Sequence, residues 1–388
     1  MDERMRRMDI AVLGGGPAGL AAALALQQRG CRVALYDGQR PPIDKACGEG
    51  LMPEAVRLLR GIGVSLNESD GAPLAGIRFH DAHASASAAF GEDQGLAMRR
   101  TRLQGRMAER AAEVGIALHW GGVVRAMAGG GFASAGAAIH ADYFVIADGL
   151  CSTLAKASGF RERNCYSERY ASRQQFECAP WSDRVEVHWG RHEQLYVTPL
   201  GDDEVGVALL TSTRGRMLCD ALPDFPIVAK RIAGAARTSS MRGAVTKTRS
   251  LREVIRGNVA VLGDASGSVD AVTGEGVLSA FRQAHALAEA IVAGEPERYA
   301  AAHRQIANGP RRMALLLLLL DRLPWLQRGF VATMARRPES FAALLRVHLA
   351  EKSWRSFAAS EAARLLRNRR ERSHWWPFAA GAYRERGL

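Results

Sequence analysis

An α/β fold, opening with a nucleotide-type βαβ unit and interrupted by a smaller antiparallel sheet, is predicted by three features of this 388-residue sequence. A Gly-rich turn stands between a short apolar run and an Ala/Leu-rich stretch near the N-terminus. A second apolar run, ending in an acid and a Gly-rich helix start, recurs from Asn258 onward. Between the two, short segments alternate apolar and polar residues at the period of a half-buried sheet. Along the chain the pattern divides into 1–165, a first nucleotide-binding part; 166–255, an antiparallel substrate domain with a helical excursion; 256–295, the second nucleotide-binding part; and 296–388, a basic helical region.

Asp9–Asp37 reads DIAVLGGGPAGLAAALALQQRGCRVALYD. Ile10–Leu13 has strand length, and Gly14-Gly15-Gly16-Pro17-Ala18-Gly19 fits G-x-G-x-x-G. Leu20–Arg29 reads as a helix closed by Gly30, and Arg32–Tyr36 as a second strand ending at Asp37. This is the Rossmann-like unit. Gly14 allows the tight turn, Gly16 lets backbone approach a pyrophosphate, and Gly19 lets the helix lie close to the sheet. The turn through Pro17 and Ala18 opens a helix whose free N–H groups and partial positive charge suit phosphate. Asp37 is placed to accept hydrogen bonds from ribose hydroxyls. The motif alone leaves FAD and NAD open.

Hydrophobic residues make up 47% and charged residues 24% of the chain, the composition of a globular rather than a disordered protein. The formal net charge is +12, and the region from Pro296 onward carries nearly all of it, with 18 Arg/Lys against 7 Asp/Glu. Such a balance points to nucleic acid, anionic lipid or an acidic protein, or to a solvated helical face; no nucleic-acid partner is expected here. The six cysteines form no C-x-x-C and have no His at zinc spacing, so no metal site is expected. Met1–Met8 lacks the apolar core of a secretory signal, and a reducing cytoplasm is the expected location.

Arg40–Met52 (RPPIDKACGEGLM) begins as an irregular loop. Cys47-Gly48-Glu49-Gly50 is open enough for backbone to lie against a flat ring, with Cys47 alternatively a small buried loop residue. Pro53 suits the first position of a helix over Glu54–Gly61. Gly71–Gly95 is Ala/Ser-rich and reads only as strand and loop connections. Met98-Arg99-Arg100-Thr101-Arg102-Leu103 leads into a helix marked by Met107, Ala111 and Val114. Ile116–Trp120 is a strand, and Val123–Met127 with Phe132–Ile139 form a hairpin across Gly129-Gly130-Gly131. Asp142–Gly149 is a buried strand ending in Asp148-Gly149, where an open α/β sheet places ligand contacts.

Four strands are expected next: Tyr170–Cys178, Arg184–Trp189, Gln194–Thr198 and Glu204–Thr211. Gly215–Arg237 reads as helical and Ala244–Val254 as strand. Asn258–Gly263 runs into Asp264 and then Ser266–Gly276 (SGSVDAVTGEG), before a helix from Val277 to Ala293. A second Gly-rich helix start suits one large cofactor lying across the domain. The basic C-terminal region is helical. It holds Met313–Leu320 (MALLLLLL), too short to span a bilayer, and the aromatic run Trp375-Trp376-Pro377-Phe378. Three roles fit it and stay open: a peripheral contact with the inner membrane surface, an amphipathic cap over the substrate domain, or an oligomer face.

In order, these motifs resemble the FAD-dependent oxidoreductases of the p-hydroxybenzoate hydroxylase fold, over Ile10 to Ala293. The resemblance implies that Gly14–Gly19 with Asp37 is the ADP-binding turn, and that Asp148-Gly149 is the central DG motif. Gly263-Asp264 matches the GD motif, whose acid contacts the ribityl chain. Gly274-Glu275-Gly276 and Val277 match the segment facing the isoalloxazine ring. Arg100 and Val124 fall at further FAD-contacting positions, and Cys47-Gly48 lies beside the ring. CGEGLMP and VDAVTGEGV are most similar to geranylgeranyl reductase-like members and to monooxygenases found beside polyketide synthases. Where the reductases carry Y-x-W-x-F-P, this chain has Gln194-Leu195-Tyr196-Val197-Thr198-Pro199. The halogenase pattern W-x-W-x-I-P is absent, and halogenation is not expected.

The resemblance implies bound FAD, with NAD(P)H as transient reductant, and a hydrophobic small-molecule substrate. A monooxygenase would hydroxylate an aromatic or polyketide-like molecule, with His188 and Tyr196 on the substrate sheet to orient or deprotonate a phenol. A reductase would saturate an isoprenoid or other double bond, with Cys47 as proton donor. A flavin-binding protein without catalysis is the third reading.

Overall fold

The computed structural model describes residues 8–364. The aromatic run at 375–378, and the start of the chain at 1–7, lie outside them. A six-stranded sheet runs in the spatial order Ile255–Arg256, Val259–Val261, Tyr143–Ile146, Asp9–Leu13, Arg32–Asp37, Ala117–Trp120. Apart from the edge pair Ile255–Arg256 with Val259–Val261, its pairings are parallel. Val12, Leu13, Leu35, Val145, Ile146 and Val261 are all fully buried. A parallel sheet covered on both faces needs such unbroken apolar runs. From Asp9–Leu13 the chain moves to one side at Arg32–Asp37 and to the other at Tyr143–Ile146. The crevice where ligands bind such sheets therefore opens beyond Leu13 and Ile146.

The helix Pro17–Gln28 packs its alanines against the helix Gly276–Val292. Its entry depends on Gly19, because a Cβ there would lie 1.9 Å from the Gly14 carbonyl oxygen. The second helix of the sequence reading starts at Pro53, and the third spans Arg100–Glu113, burying Leu103, Met107 and Ala111.

The inserted sheet has eight strands, in the order Gly267–Ser268, Arg242–Leu251, Glu162–Glu177, Glu204–Thr211, Glu193–Pro199, Arg184–Trp189, Gly76–His80, Ser85–Ala89. It is antiparallel except where Gly76–His80 runs parallel to Arg184–Trp189. The Ala/Ser-rich stretch that read only as connections thus supplies its last two strands. The first inserted strand is longer than Tyr170–Cys178, spanning 16 residues. The expected helix over Gly215–Arg237 is broken into Leu218–Ala221 and Pro226–Arg231, because Pro223 and Pro226 cannot donate within a continuous helix. The expected hairpin is a three-stranded sheet, Val124–Ala126, Phe132–Ser134 and Ala137–Ile139, since the chain turns again at Ala135 and Gly136, both at positive φ.

Three helices follow, Glu297–Arg322, Pro324–Arg336 and Pro338–His348, and a further helical segment over 354–364 ends the described residues. None of the described helices is long and apolar enough to cross a membrane. Buried Tyr299 ties the first to the parallel sheet by donating to the Val261 carbonyl at 2.9 Å. A buried polar network ties it to the inserted sheet. Arg169 Nη2 donates to Gln194 Oε1 at 2.7 Å and to the Leu210 carbonyl at 3.2 Å. Its guanidinium lies 3.6 Å from both Asp270 and Asp321, and the Gln194 amide donates to Asp321. Asp321→Ala should therefore lower unfolding stability by about 3 kcal/mol, the cost of removing one partner from a buried charge group. Urea denaturation checks this, and a loss within experimental error would show that Asp270 alone satisfies Arg169.

Candidate active site

The two halves of the molecule enclose a cavity of about 350 Å³. One end is built from the crevice of the parallel sheet: Gly16-Pro17-Ala18, the loop Lys45–Met52, Arg100, Gly149, Gly263-Asp264 and Gly274 to Val277 except Glu275. The other end lies between the inserted sheet (Val185, Val187, Tyr196, Leu210) and the C-terminal helices (Met313, Leu317, Phe341, Leu344, Leu345).

At the first end the Gly-rich turn is held from several sides. Gly14 has φ 127°, and a Cβ on it would lie 2.4 Å from the Ala147 carbonyl oxygen. The Gly15 N–H donates to Asp37 Oδ2 at 2.6 Å, and the Gln39 N–H to Asp37 Oδ1 at 2.7 Å. Gln104 Nε2 donates to the Gly15 carbonyl at 3.2 Å. Gly16 faces open space: the nearest atom to a Cβ there would be Arg100 Nη2, at 3.7 Å. Arg100 Nε is buried without a partner. Neither the helix beginning at Pro17 nor that beginning at Gly276 has a side-chain cap, so both present unpaired N–H groups at the cavity. Asp264 lies beside Lys45, with Nζ to Oδ2 at 3.7 Å.

The loop carrying Cys47 is pinned under the cavity. Thr198 Oγ1 donates to the Gly48 carbonyl at 2.9 Å, and the Glu49 N–H approaches Cys47 Sγ at 3.4 Å. Glu49 sits at φ 61° with its carboxyl buried. It accepts from Gln175 Nε2 at 2.8 Å and from the Arg100 N–H at 3.1 Å, and Arg173 lies 3.7 Å away. Burial pushes this carboxyl above its usual pKa despite the nearby arginine.

Over residues 7–174 the chain matches the family model described as FAD binding domain. It is 27% identical to a menaquinone reductase of Mycolicibacterium smegmatis, over 81% of this chain and 85% of that one. It is 32% identical to the 6-methylpretetramide 4-monooxygenase of Streptomyces rimosus, over 39% of this chain and 40% of that one. Among solved structures, the flavin-dependent brominase Bmp2 superposes with a TM-score of 0.76 at 17% identity, covering 94% of this chain and all of that one, a likeness of fold. The match to an FAD binding domain and the shared fold agree with the FAD-dependent oxidoreductases that the sequence motifs resemble.

The residues of this flavoprotein fit FAD. The open approach at Gly16, the unpartnered Arg100 Nε and two uncapped helix starts around one crevice form a cradle for an extended, phosphate-bearing molecule. Gly14–Gly19 would hold its pyrophosphate, Asp37 its ribose, Asp264 its ribityl chain, and Gly274, Gly276 and Val277 its ring, whereas Glu275 is turned from the cavity. Asp148 turns its carboxylate away from the cavity to accept from the Leu154 N–H at 3.4 Å, and its neighbour Gly149 provides the lining. Val124 lies on the small three-stranded sheet, outside the cavity lining, while neighbouring Val123 packs over Gly38.

The three candidate catalytic residues separate. Cys47 and Tyr196 line the cavity and His188 does not. Strand alternation gives the cavity face to Val185 and Val187 and turns Glu186 and His188 to the opposite face. There, His188 stacks on His80 with ring centroids 4.5 Å apart and approaches Glu186 Oε2 at 3.2 Å. Ligand atoms of His80, Glu186 and His188 lie within 4.8 Å of one another. The Glu186 carboxylate already accepts from Trp181 Nε1 at 2.9 Å and Arg78 Nη1 at 3.2 Å, and that guanidinium opposes a cation. Tyr196 donates to the Val272 carbonyl at 3.2 Å, and burial raises its pKa, so it stays a donor rather than a base. Lys45, Glu49, Gln104, Arg173 and His348 escaped the sequence reading. Of these, only Glu49 stood inside a segment singled out for its glycines.

Asp264→Ala should weaken FAD binding roughly ten- to a hundredfold and Arg100→Ala less, from the worth of a hydrogen bond to a charged group. Flavin-fluorescence titration of apoprotein reads this, and an Asp264→Ala protein purifying with full flavin content would overturn the cofactor placement. Glu275 points away from the cavity, buried, 3.4 Å from His348 Nδ1. Burial pushes its carboxyl up to about 8 and the His348 imidazole down to about 4, leaving both neutral. Between the ordinary carboxylate value of 4.5 and about 8 the folded state holds the extra proton, so the Glu275 contribution to stability is lost as pH rises through that window. Glu275→Gln should remove this loss: the stability difference between variant and wild type, followed against pH, should grow toward pH 8 in favour of the variant. A pH-independent difference would mean that Glu275 ionises normally.

Proposed function

We propose that this flavoprotein is an NAD(P)H-using monooxygenase that hydroxylates an aromatic molecule bearing a long apolar chain. The observation that carries the reading is the continuity of the cavity, from the loops that fit FAD to an apolar end walled by Leu210, Met313, Leu317 and Phe341. Bound flavin supplies hydride acceptance from the nicotinamide and activation of O2 for transfer to an electron-rich carbon. The protein supplies surroundings. The apolar walls exclude water. The uncapped helix start at Gly276 would stabilise negative charge on a flavin held there. The Tyr196 hydroxyl, held by Val272, lines the place where a substrate ring would rest.

A second reading is favoured by one observation. The likeness to a menaquinone reductase runs through the inserted sheet and into the C-terminal helices, whereas that to a monooxygenase covers 39% of this chain. In that reading a double bond of an apolar chain gains a hydride and a proton, the proton coming from Cys47 or from the buried carboxyl of Glu49. Intact FAD-fitting residues argue against a non-catalytic role.

Incubation of the FAD-loaded protein and NADPH with alkylphenols and prenylated quinones under ¹⁸O2 separates the readings by mass spectrometry. One ¹⁸O atom in the product is the expected result. A product that gains two hydrogens, forms equally without oxygen and carries no label would replace the monooxygenase by the reductase.

A further inference from the structure

We propose that the outer face of the C-terminal helices docks on an anionic lipid bilayer. In the helix Glu297–Arg322, the side chains of Arg312, Leu315, Leu319 and Arg322 are exposed, Leu315 to 65% and Leu319 to 47%. Their spacing of three, four and three residues places them along one stripe, two leucines bracketed by two arginines. Trp325, 71% exposed, and exposed Arg328 follow in the next helix. Met313, Leu317 and Leu320 on the inner side of the first helix are buried, so the core is already filled without the outer leucines. Asp321, the acid within this stretch, is turned inward to Arg169 and does not offset Arg322.

Apolar side chains next to an indole and flanked by guanidinium groups match the layering of a bilayer surface: acyl chains beneath, aromatic rings at the boundary, anionic headgroups above. A second copy of the chain is a poorer occupant. A two-fold contact sets a face against itself, and here it would bring one arginine-bracketed stripe onto another. The same helix walls the cavity from the inside with Met313 and Leu317. Docking would hold the apolar end of that cavity against the phase in which a long-chain molecule dissolves. The inference concerns the surface and stands whichever chemistry the flavin performs.

The test is flotation of the full-length FAD-loaded protein with vesicles of equimolar phosphatidylglycerol and phosphatidylcholine, and with phosphatidylcholine alone. Binding to the first only, weakening as salt rises, is expected. Arg312→Ser and Arg322→Ser should each lower vesicle affinity about fivefold. The combined Leu315→Ser, Leu319→Ser and Trp325→Ser protein should not float, with its flavin content and melting temperature unchanged. The blue shift of tryptophan emission on vesicle addition should be missing from Trp325→Phe, a readout independent of the serine variants. No flotation by the wild type would overturn the proposal. So would flotation undiminished by every variant, which would move the contact elsewhere on the chain. A concentration-dependent dimer dissolved by the same substitutions, without vesicle binding, would assign the face to a second copy.

Discussion

The Arg169 guanidinium holds together three parts of the chain that sequence keeps far apart. It comes from an inserted strand, is almost fully buried, and meets Asp270 of the loop before Gly276 and Asp321 of the first C-terminal helix. A buried charge of this kind is tolerable only when its partners are in place, so each partner is constrained as strongly as the arginine. Asp270 in turn accepts from the Val272 N–H, and the Val272 carbonyl accepts from Tyr196. The loop that starts the helix at Gly276 is thus shaped from the substrate sheet as much as from its own glycines. The cavity follows: its crevice end, its sheet face and its helical wall meet around this one cation.

The parts that were legible in the sequence are those that local chemistry dictates. The Gly14–Gly19 turn needs glycine because Gly19 presses on Gly14 and Gly14 on Ala147. Buried parallel strands need unbroken apolar runs, which is why Ile10–Leu13 and Asn258–Gly263 stood out. The inserted sheet hid itself for the opposite reason. Glu162–Glu177 buries Arg169, Ser172, Arg173 and Gln175, a polar network rather than an apolar stripe, so no hydrophobic period marks its true length. Ser85–Ala89 buries only Ala86 and Ala88, too small to signal a strand.

His188 shows a different limit. In the strand Arg184–Trp189, Val185 and Val187 share one face and Glu186 and His188 the other. Period two says which residues share a face, and only tertiary packing says which face meets the ligand. Both faces of this strand are covered, so the polar one became a buried cluster with His80, Arg78 and Trp181. Glu49 was hidden by conformation: a non-glycine residue at φ 61° carries no sequence signature, and its contacts with Arg100, Arg173 and Gln175 come from distant segments.

The cavity is uneven in a way that bears on its chemistry. Charged and polar groups gather at the crevice end, where Lys45, Arg100 and Asp264 suit a phosphate-bearing cofactor. Toward the C-terminal helices the lining becomes aliphatic and aromatic, with few ionisable groups. Tyr196 is committed to Val272, and His348 sits against Glu275 with burial keeping both uncharged. A site built this way has little means of activating a substrate by proton abstraction at its apolar end. For the substrate proposed above, selection there would rest on the fit of its chain against Leu317, Phe341 and Leu344, and the reacting atom would be the one that this fit carries to the loops that fit FAD.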